Sequence, residues 1–398
     1  MSTGMTRAWW WHRQGLDGTL DGADPAAVLA TAGWARSVGG ANPYLTLFSR
    51  AGTTRAVADA AVAGLEICEL PAARGCTYVV PAADFALALQ VGRHAAEAEA
   101  ATAHRLGVPR QEIDDLCDAV LGALDGGPLD PAGLKARLGP AVRNLGEAGR
   151  KKGLTTTLPV ALGLLQGAGE IRRIPANGRL DQQRFAYARW TPPRTRLTDD
   201  EARAELARRY FGWTGGASLA ELRWFTAFSA RDAKAAVAGL DLTEIGGGRL
   251  ALRPDAEALA GYEPPAAPAY ALLAGIDALV LLRRDVPSLL TGADPSRPVP
   301  GHRAGKNLAD LPDLPGHAIV DRGRLIGLWE YDVETERIVW WVFDAGAAAD
   351  PGLRSAVERT ETFVRDQLGD ARAMSLDSPK SRRPRIAALR AATQEDFT

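Results

Sequence analysis

The sequence predicts an α+β protein in which helices dominate the first two thirds of the chain and strands dominate the end. Two observations support this fold class. Groups of amphipathic helices recur along the chain, and each group closes with two short β-type runs. After the proline-rich residues 264–268, apolar runs of strand length replace the helical pattern. A chain of 398 residues is long enough for about two to four domains.

The first group begins at Asp24 and Pro25, an N-cap residue followed by a first-turn proline. The expected elements are helices over 25–32, 43–50 and 54–65, strands over 66–70 and 77–81, and an alanine-rich linking helix over 82–104. Three helices followed by a two-stranded ribbon is the order of a winged-helix module.

The same order returns twice. The second group has expected helices over 111–124, 131–138 and 155–166 and strands over 170–174 and 184–190. In the third group, Thr198 and Glu201 form a capping box. Its expected elements are helices over 199–213, 218–225 and 230–240 and strands over 242–245 and 249–252.

The rest of the chain is expected to be rich in strands. The pattern favours strands over 270–273, 278–282, 317–320, 325–331 and 337–343, a helix over 353–368 and an extended tail over 375–385. We therefore expect three tandem winged-helix modules followed by a β-rich C-terminal domain. The expected boundaries are 1–95, 96–196, 197–262, 263–370 and a basic tail over 371–398.

Composition excludes several classes of protein. The formal net charge is −1, and the three cysteines have no metal-binding spacing, which fits a reducing compartment. No apolar run has the length of a signal peptide or a membrane span, so we expect a cytoplasmic protein. No two of the five histidines have the spacing of metal ligands on a helix; they are His12, His94, His104, His302 and His317. No cofactor-binding or catalytic motif occurs either. We therefore expect no metal and no organic cofactor.

The clearest charge signal lies in the second group. Residues 143–196 contain 11 basic and three acidic residues, and they include the elements that winged helices present to DNA. The candidate DNA contacts are Arg150, Lys151, Lys152, Thr155, Thr156, Thr157, Arg172, Arg173, Arg179, Gln182 and Arg184. The alternative is a solvated basic face that the acidic residues 112–118 balance. We favour contact with double-stranded DNA.

Two further features have two interpretations each. Lys380, Arg382 and Arg383 in the tail would form either an arm that follows DNA phosphates or a solubilising end. The three tryptophans at positions 9–11 would either stack on bases or pack in the core, and we favour the core because tryptophan is costly to expose.

Several stretches carry a resemblance to a known family. The segments at 206–211, 218–225, 232–234 and 320–331 resemble the AlkZ-like (YcaQ-related) winged-helix DNA glycosylases. The resemblance implies bacterial enzymes that hydrolyse the N-glycosidic bond of N7-alkylated purines. It also implies three winged helices and a β-domain arranged as a C-shaped clamp, without metal or cofactor. In that family a Gln-x-Gln or Gln-x-Asp motif in the first module positions the water.

This sequence departs from the family motif. The motif positions fall on Arg36 and Val38, and no glutamine occurs between Gln14 and Gln90. Valine has no acceptor for water, and the permanent charge of an arginine opposes the positive charge that develops on the sugar. As a hypothesis, Arg36 contacts a phosphate instead. Candidate replacement acceptors in the same module are Asn42, Asp24, Asp21 and His12.

Four hypotheses remain open. The first is a DNA-damage binder without the family's catalysis or with different catalysis, and the second is an active glycosylase with a replacement acceptor. The third is a transcriptional or architectural DNA-binding factor, and the fourth a protein-interaction scaffold. We expect a monomer. Monomeric behaviour would count against the third hypothesis, because regulators commonly dimerise on two-fold operators.

Overall fold

The computed structural model describes residues 3–182, 184–193, 196–301, 306–343 and 345–395. Among these residues no helix combines the length and the hydropathy needed to cross a lipid bilayer. His302, one of the five histidines, lies outside the described residues.

The first unit combines helices with a small antiparallel sheet. Its elements are α1 (Thr3–Arg13), α2 (Pro25–Ala32), β1 (Ala35–Arg36), α3 (Asn42–Ala51), α4 (Arg55–Ala63), β2 (Ile67–Pro71), β3 (Thr77–Pro81) and α5 (Phe85–Arg105). Asp24 and Thr54 cap α2 and α4 through their side chains, as their sequence positions indicate. The strand order β1-β3-β2 adds a third strand to the expected ribbon, and α1 also lies outside the sequence prediction.

The second and third units repeat the order of helices followed by an antiparallel strand pair. The second contains α6 (Arg110–Leu124), α7 (Pro131–Leu138), α8 (Gly146–Arg150), α9 (Leu158–Gly167), β4 (Ile171–Pro175) and β5 (Phe185–Arg189). The third contains α10 (Asp199–Thr214), α11 (Leu219–Thr226), α12 (Ala230–Val237), β6 (Leu242–Gly246), β7 (Arg249–Leu252) and α13 (Arg253–Ala260). The predicted capping box of Thr198 and Glu201 opens α10.

The C-terminal region is built on a four-stranded antiparallel sheet in the order β11-β10-β9-β8. Its elements are β8 (Tyr270–Leu273), α14 (Ala278–Leu281), β9 (His317–Asp321), β10 (Arg324–Asp332), β11 (Arg337–Val342), α15 (Ala345–Ala349), α16 (Pro351–Phe363) and α17 (Pro379–Glu395).

Two predictions for this region are wrong. The apolar run at 278–282 is a helical turn rather than a strand, since Asp277 caps it through a side-chain hydrogen bond from Leu279 N. A short apolar run is compatible with either structure by its pattern alone. The segment expected to be an extended tail forms α17, which packs on β10 and β11.

The hydrophobic cores show which units belong together. One core joins residues of the first unit, the third unit and the C-terminal sheet, including the predicted core residue Trp10. The side chains of Trp9, Trp10 and Trp11 are at most 2% exposed, which confirms the core interpretation. The second unit has a core of its own around α6, α9 and its strand pair. Two surface cavities lie at its junction with the first unit.

Candidate nucleic-acid interface

A small cavity, called here the β1 pocket, lies where the end of β1 faces the second strand pair. Its volume is ≈ 300 Å³. Residues 36–39 and Glu69 line it from the first unit, and Arg173, Gln182 and Phe185 line it from the second. The pocket therefore combines a carboxylate with cationic and amide side chains from two separate units.

A longer depression, called here the interunit groove, adjoins the β1 pocket. Its volume is ≈ 530 Å³, and its walls include residues of α5 and α9 together with Lys135, Thr155 and Thr156. Gly75, Thr77 and Arg173 line both cavities. The two cavities are therefore neighbours, and Arg173 borders both of them.

Strand register separates the side chains at the end of β1. Arg36 pairs with Tyr78, and its guanidinium carbon lies 5.4 Å from the centre of that ring. Ala35 pairs with Val79, which in turn pairs with Glu69 on β2. Because side chains alternate between faces, this register puts Arg36 and Glu69 on opposite faces of the small sheet.

Ser37 continues the face that carries Glu69. Its backbone N–H donates to the carbonyl of Thr77 at 3.0 Å, which extends the pairing of β1 by one residue. Its hydroxyl, in a side chain that is only 3% exposed, donates to Oε1 of Glu69 at 2.5 Å. Ser37 therefore fixes one oxygen of a carboxylate that is otherwise half-buried in the pocket wall.

The backbone around the β1 pocket is held from two sides. Asn42 Nδ2 donates to the carbonyl of Arg36 at 2.7 Å. From the other side, Ser375 N donates to the carbonyl of Val38 at 2.9 Å. A Cβ on Gly40 would lie 2.4 Å from the carbonyl oxygen of Ala373, so only glycine permits this close approach. The backbone of the pocket wall is thus held by hydrogen bonds and by close packing.

Arg173 is the cation placed best to meet a ligand in these cavities. Its guanidinium carbon lies 4.4 Å from the ring centre of Phe185. Its Nε is buried without a hydrogen-bond partner within the described ranges. The described residues supply no ion pair to this side chain, so its charge remains available to an anion.

Comparison with protein-family models identifies the chain over most of its length. The model described as DNA glycosylase AlkZ-like matches residues 26–363. The chain belongs to the AlkZ-like DNA glycosylase family. Among solved structures it is similar to the Streptomyces sahachiroi DNA glycosylase AlkZ, at 21% sequence identity with a TM-score of 0.66. That alignment covers 94% of this chain and 98% of the other. A comparison with curated proteins gives no match.

The two positions where the family motif was expected, Arg36 and Val38, both line the β1 pocket. The guanidinium of Arg36 only donates hydrogen bonds, and its Nη1 already donates to the carbonyl of Thr77 at 2.8 Å. The side chain of Val38 offers no hydrogen-bonding group. Neither residue can replace the water-positioning amides that the family resemblance implies.

The replacement acceptors expected in the first unit are engaged elsewhere. Asn42 is 1% exposed, lies at the start of α3 and donates a hydrogen bond to the backbone of β1. Asp24 is an exposed helix cap that accepts from Ala27 N at 2.8 Å. His12 pairs with Asp17 and stacks on Tyr262 at 5.1 Å between ring centres. Asp21 is exposed and, like the other three, does not line the β1 pocket.

Several of the expected DNA contacts in the second unit are accessible. Arg150 ends α8, and Lys151 and Lys152 follow it in a turn. All three are exposed, and Lys151 forms an i,i+4 ion pair with Glu147. Thr155 and Thr156 line the interunit groove. Among the remaining candidates, Arg184 is exposed and Arg172 half-buried.

Two expected contacts of the second unit are committed to the protein itself. Thr157 is fully buried, and its hydroxyl accepts from Arg143 N at 3.0 Å. Helix α9 begins one residue later than this threonine, because backbone hydrogen bonds join residues 155–157 to residues 143–145 around a bridge between Asn144 and Thr156. Arg179 forms an ion pair with Asp181, and it donates to the carbonyl of Leu368 at 2.8 Å. The hydrogen bond to Asp181 raises the pKa of Arg179.

The loop of the second strand pair docks onto the first unit next to the β1 pocket. Leu180 N donates to the hydroxyl of Tyr44 at 2.9 Å, and that hydroxyl donates to Asp59. Burial raises the pKa of Tyr44, so the phenol stays protonated. Gln182, another expected contact, follows this loop and lines the β1 pocket, with its Oε1 accepting from Asn177 Nδ2 at 3.0 Å.

Two of the three basic tail residues form ion pairs with acidic residues of the C-terminal region. Arg382 is 1% exposed and pairs with Asp370 at 2.7 Å, and Arg383 pairs with Glu334. Lys380 is exposed on α17. Arg382 is therefore removed from the expected DNA contacts, because its charge is buried and paired.

Sequence reasoning missed Glu69 and Ser37. The available signal was a lone carboxylate inside the short apolar run of β2, where Cys68 and Leu70 are both buried. Nothing in the local sequence links it to Ser37, which is 32 residues away.

Proposed function

We propose that this protein binds double-stranded DNA along the interunit groove and presents one damaged nucleotide to the β1 pocket. The single observation that carries the proposal is Arg173, an uncompensated cation that lines both cavities. Phosphate contacts by such cations supply most of the affinity of a protein for DNA. Membership of the AlkZ-like DNA glycosylase family supports DNA as the polyanion.

The geometry of the second unit supports the same partner. The exposed turn with Arg150 and Lys152 precedes the groove residues Thr155 and Thr156, so cations and hydroxyls follow one another along the chain. We infer that the three units of helices and paired strands act as winged-helix modules, and that the second provides the main DNA contact. The recognition helix and the wing of such a module are the elements that meet DNA.

The size and position of the β1 pocket support a single extruded nucleotide as its occupant. Its volume of ≈ 300 Å³ lies at the lower end of about 300–1,000 Å³ for small-molecule sites. Enzymes that act on a base within a duplex take that base out of the stack. We propose alkylated purine DNA as the ligand, because the pocket contains the positions of the family motif. Both cavities belong to one chain, so we propose a monomer.

A binding titration tests this proposal. The full chain is titrated against a labelled duplex with one central N7-methylguanine and against the same duplex without it, between about 50 and 200 mM salt. We expect affinity to fall steeply with salt and to be higher for the damaged duplex. Absence of binding at the lowest salt would refute DNA binding. Equal affinity for the two duplexes would refute damage recognition and favour a regulator. The molecular mass of the free protein from analytical ultracentrifugation tests whether it is a monomer.

A further inference from the structure

We propose that Glu69 is a catalytic residue, oriented by Ser37, in hydrolysis of the N-glycosidic bond of a nucleotide held in the β1 pocket. The inference rests on the proposed DNA binding and adds an activity to it. In this inference the carboxylate of Glu69, on β2, takes the role that the family resemblance gives to glutamines at the positions of Arg36 and Val38.

The chemistry requires a group of this type. Departure of the base leaves positive charge on the sugar, so a nearby carboxylate stabilises the transition state, and an acceptor orients the attacking water. Among the described residues that line the β1 pocket, Glu69 carries the one carboxyl group. The thiol, the hydroxyls, the amide and the two guanidinium groups there cannot supply this negative charge.

The position of Glu69 suits both tasks. Oε1 accepts the Ser37 hydroxyl at 2.5 Å, and Oε2 has no hydrogen-bond partner in the described part of the chain. Within 4.0 Å, no described cation pairs with this carboxylate. The hydrogen bond to one oxygen therefore fixes the orientation of the carboxylate, while the other oxygen can accept a hydrogen bond from water.

The charge of Arg36 does not cancel this effect. Strand register puts its side chain on the face of the sheet opposite to Glu69, and its guanidinium lies over Tyr78 and donates to the carbonyl of Thr77. Arg173 approaches from the second unit, where a phosphate of the bound strand would neutralise it. The carboxylate of Glu69 can therefore still stabilise the positive charge that develops on the sugar.

The step balances without a further reactant. The bond between C1′ and the purine nitrogen breaks, and its electron pair neutralises the positive charge of an N7-alkylated base, so the leaving group needs no acid. Water adds to C1′ through its oxygen. One water proton passes to Oε2 of Glu69 and then to bulk solvent. The products are the free base and an abasic site.

Base release and DNA binding are measured in parallel to test this inference. The full chain, Glu69→Gln, Ser37→Ala, Ser37→Thr and the matched control Glu66→Gln are each incubated with the N7-methylguanine duplex under single-turnover conditions. Glu66 is exposed, precedes β2 and does not line the pocket. Free base is quantified by chromatography, abasic sites by alkaline cleavage, and affinity by anisotropy, after circular dichroism shows that each variant is folded.

We expect the natural protein to release the base. Glu69→Gln is expected to lower the rate by about 10²-fold or more while the dissociation constant stays within about threefold. Ser37→Ala is expected to lower the rate by about tenfold, with recovery in Ser37→Thr, because only the hydroxyl orients the carboxylate. Glu66→Gln should match the natural protein.

Each other result has a defined meaning. An undiminished rate in Glu69→Gln would overturn the role of Glu69. If the natural protein binds the damaged duplex but releases no base, this inference is wrong and the DNA-binding proposal stands. If it binds no DNA, the proposed function fails and this inference fails with it. An equal loss of rate in Ser37→Thr and Ser37→Ala would refute the orienting role of Ser37.

Discussion

Arg50 and Asp277 form a buried ion pair that joins the first unit to the C-terminal region. Two nitrogens of the guanidinium donate to the two carboxylate oxygens at 2.9 and 2.8 Å, and neither side chain is exposed to solvent. The same carboxylate accepts the hydroxyl of Thr46 at 3.1 Å, and Thr46 also contacts Asn42 at 3.4 Å. Asn42 in turn donates to the carbonyl of Arg36, so this hydrogen-bond network also fixes backbone that lines the β1 pocket.

Removing one charge of this pair is predicted to destabilise the protein strongly. Asp277→Asn leaves the guanidinium of Arg50 buried without a counter-charge, and such changes lower the free energy of unfolding by about 3–5 kcal/mol. Urea unfolding followed by circular dichroism measures the change. The control is Asp241→Asn, whose partner Arg253 is exposed, and its expected effect is at most about 1 kcal/mol. Equal effects of the two substitutions would contradict the prediction.

Arg173→Gln is predicted to weaken DNA binding without loss of fold. The substitution removes one uncompensated cation from the junction of the two cavities, so affinity falls for all sequences. The slope of log affinity against log salt should decrease in magnitude by about one. Anisotropy titrations across the salt range measure both quantities. Arg365→Gln is the control, since Arg365 follows α16, lines neither cavity and already pairs with Asp366. If the salt slope is unchanged in Arg173→Gln, DNA does not bind at the junction of the two cavities.

Arg382→Ala is predicted to loosen α17 rather than to affect DNA binding. Its guanidinium is buried between α17 and the sheet, where it pairs with Asp370. Hydrogen–deuterium exchange of residues 379–395 should therefore accelerate, while the affinity for duplex DNA stays unchanged. Lys380→Ala serves as the comparison because Lys380 is exposed on the same helix, and its exchange pattern should not change. A lower affinity in Arg382→Ala, with exchange unaltered, would restore the interpretation of the tail as a phosphate-binding arm.

His317 is predicted to make stability depend on pH below neutrality. Burial lowers the pKa of His317 to about 4, and the neutral ring accepts from Gly275 N while Nε2 donates to the carbonyl of Ala371. Since the folded pKa lies below the unfolded value of about 6.5, the stabilisation is present above that pH and is lost as pH falls toward 4. The difference in unfolding free energy between the natural protein and His317→Gln should shrink by about 2 kcal/mol from pH 7 to pH 5.

Chemical unfolding of both proteins at the two pH values checks this prediction. Burial also raises the pKa of the neighbouring Glu330 to about 7, but that carboxyl titrates in both proteins and cancels in the difference. A difference that is independent of pH between 7 and 5 would show that His317 titrates normally.

Local signals in the sequence predicted much of the fold. The caps at Asp24, Thr54 and Thr198 start helices where expected, because a capping side chain bonds to backbone only three residues away. The three strand pairs that close the helical units also follow from short-range pattern and turn residues. Errors arose where one pattern permits two structures, as at residues 278–281, or where basic residues were considered without their distant acidic partners, as in α17.

The sequence by itself determined the order of helices and strand pairs, the burial of the three tryptophans and the family to which the chain belongs. The tertiary structure decided which charges are available to a ligand. Arg173 remains without a described counter-ion, whereas Arg179 and Arg382 are paired, and Glu69 meets Ser37 from another strand. The physical reason is that helix caps and turns depend on neighbours in the chain. Charge compensation and pocket walls depend on residues brought together only by folding.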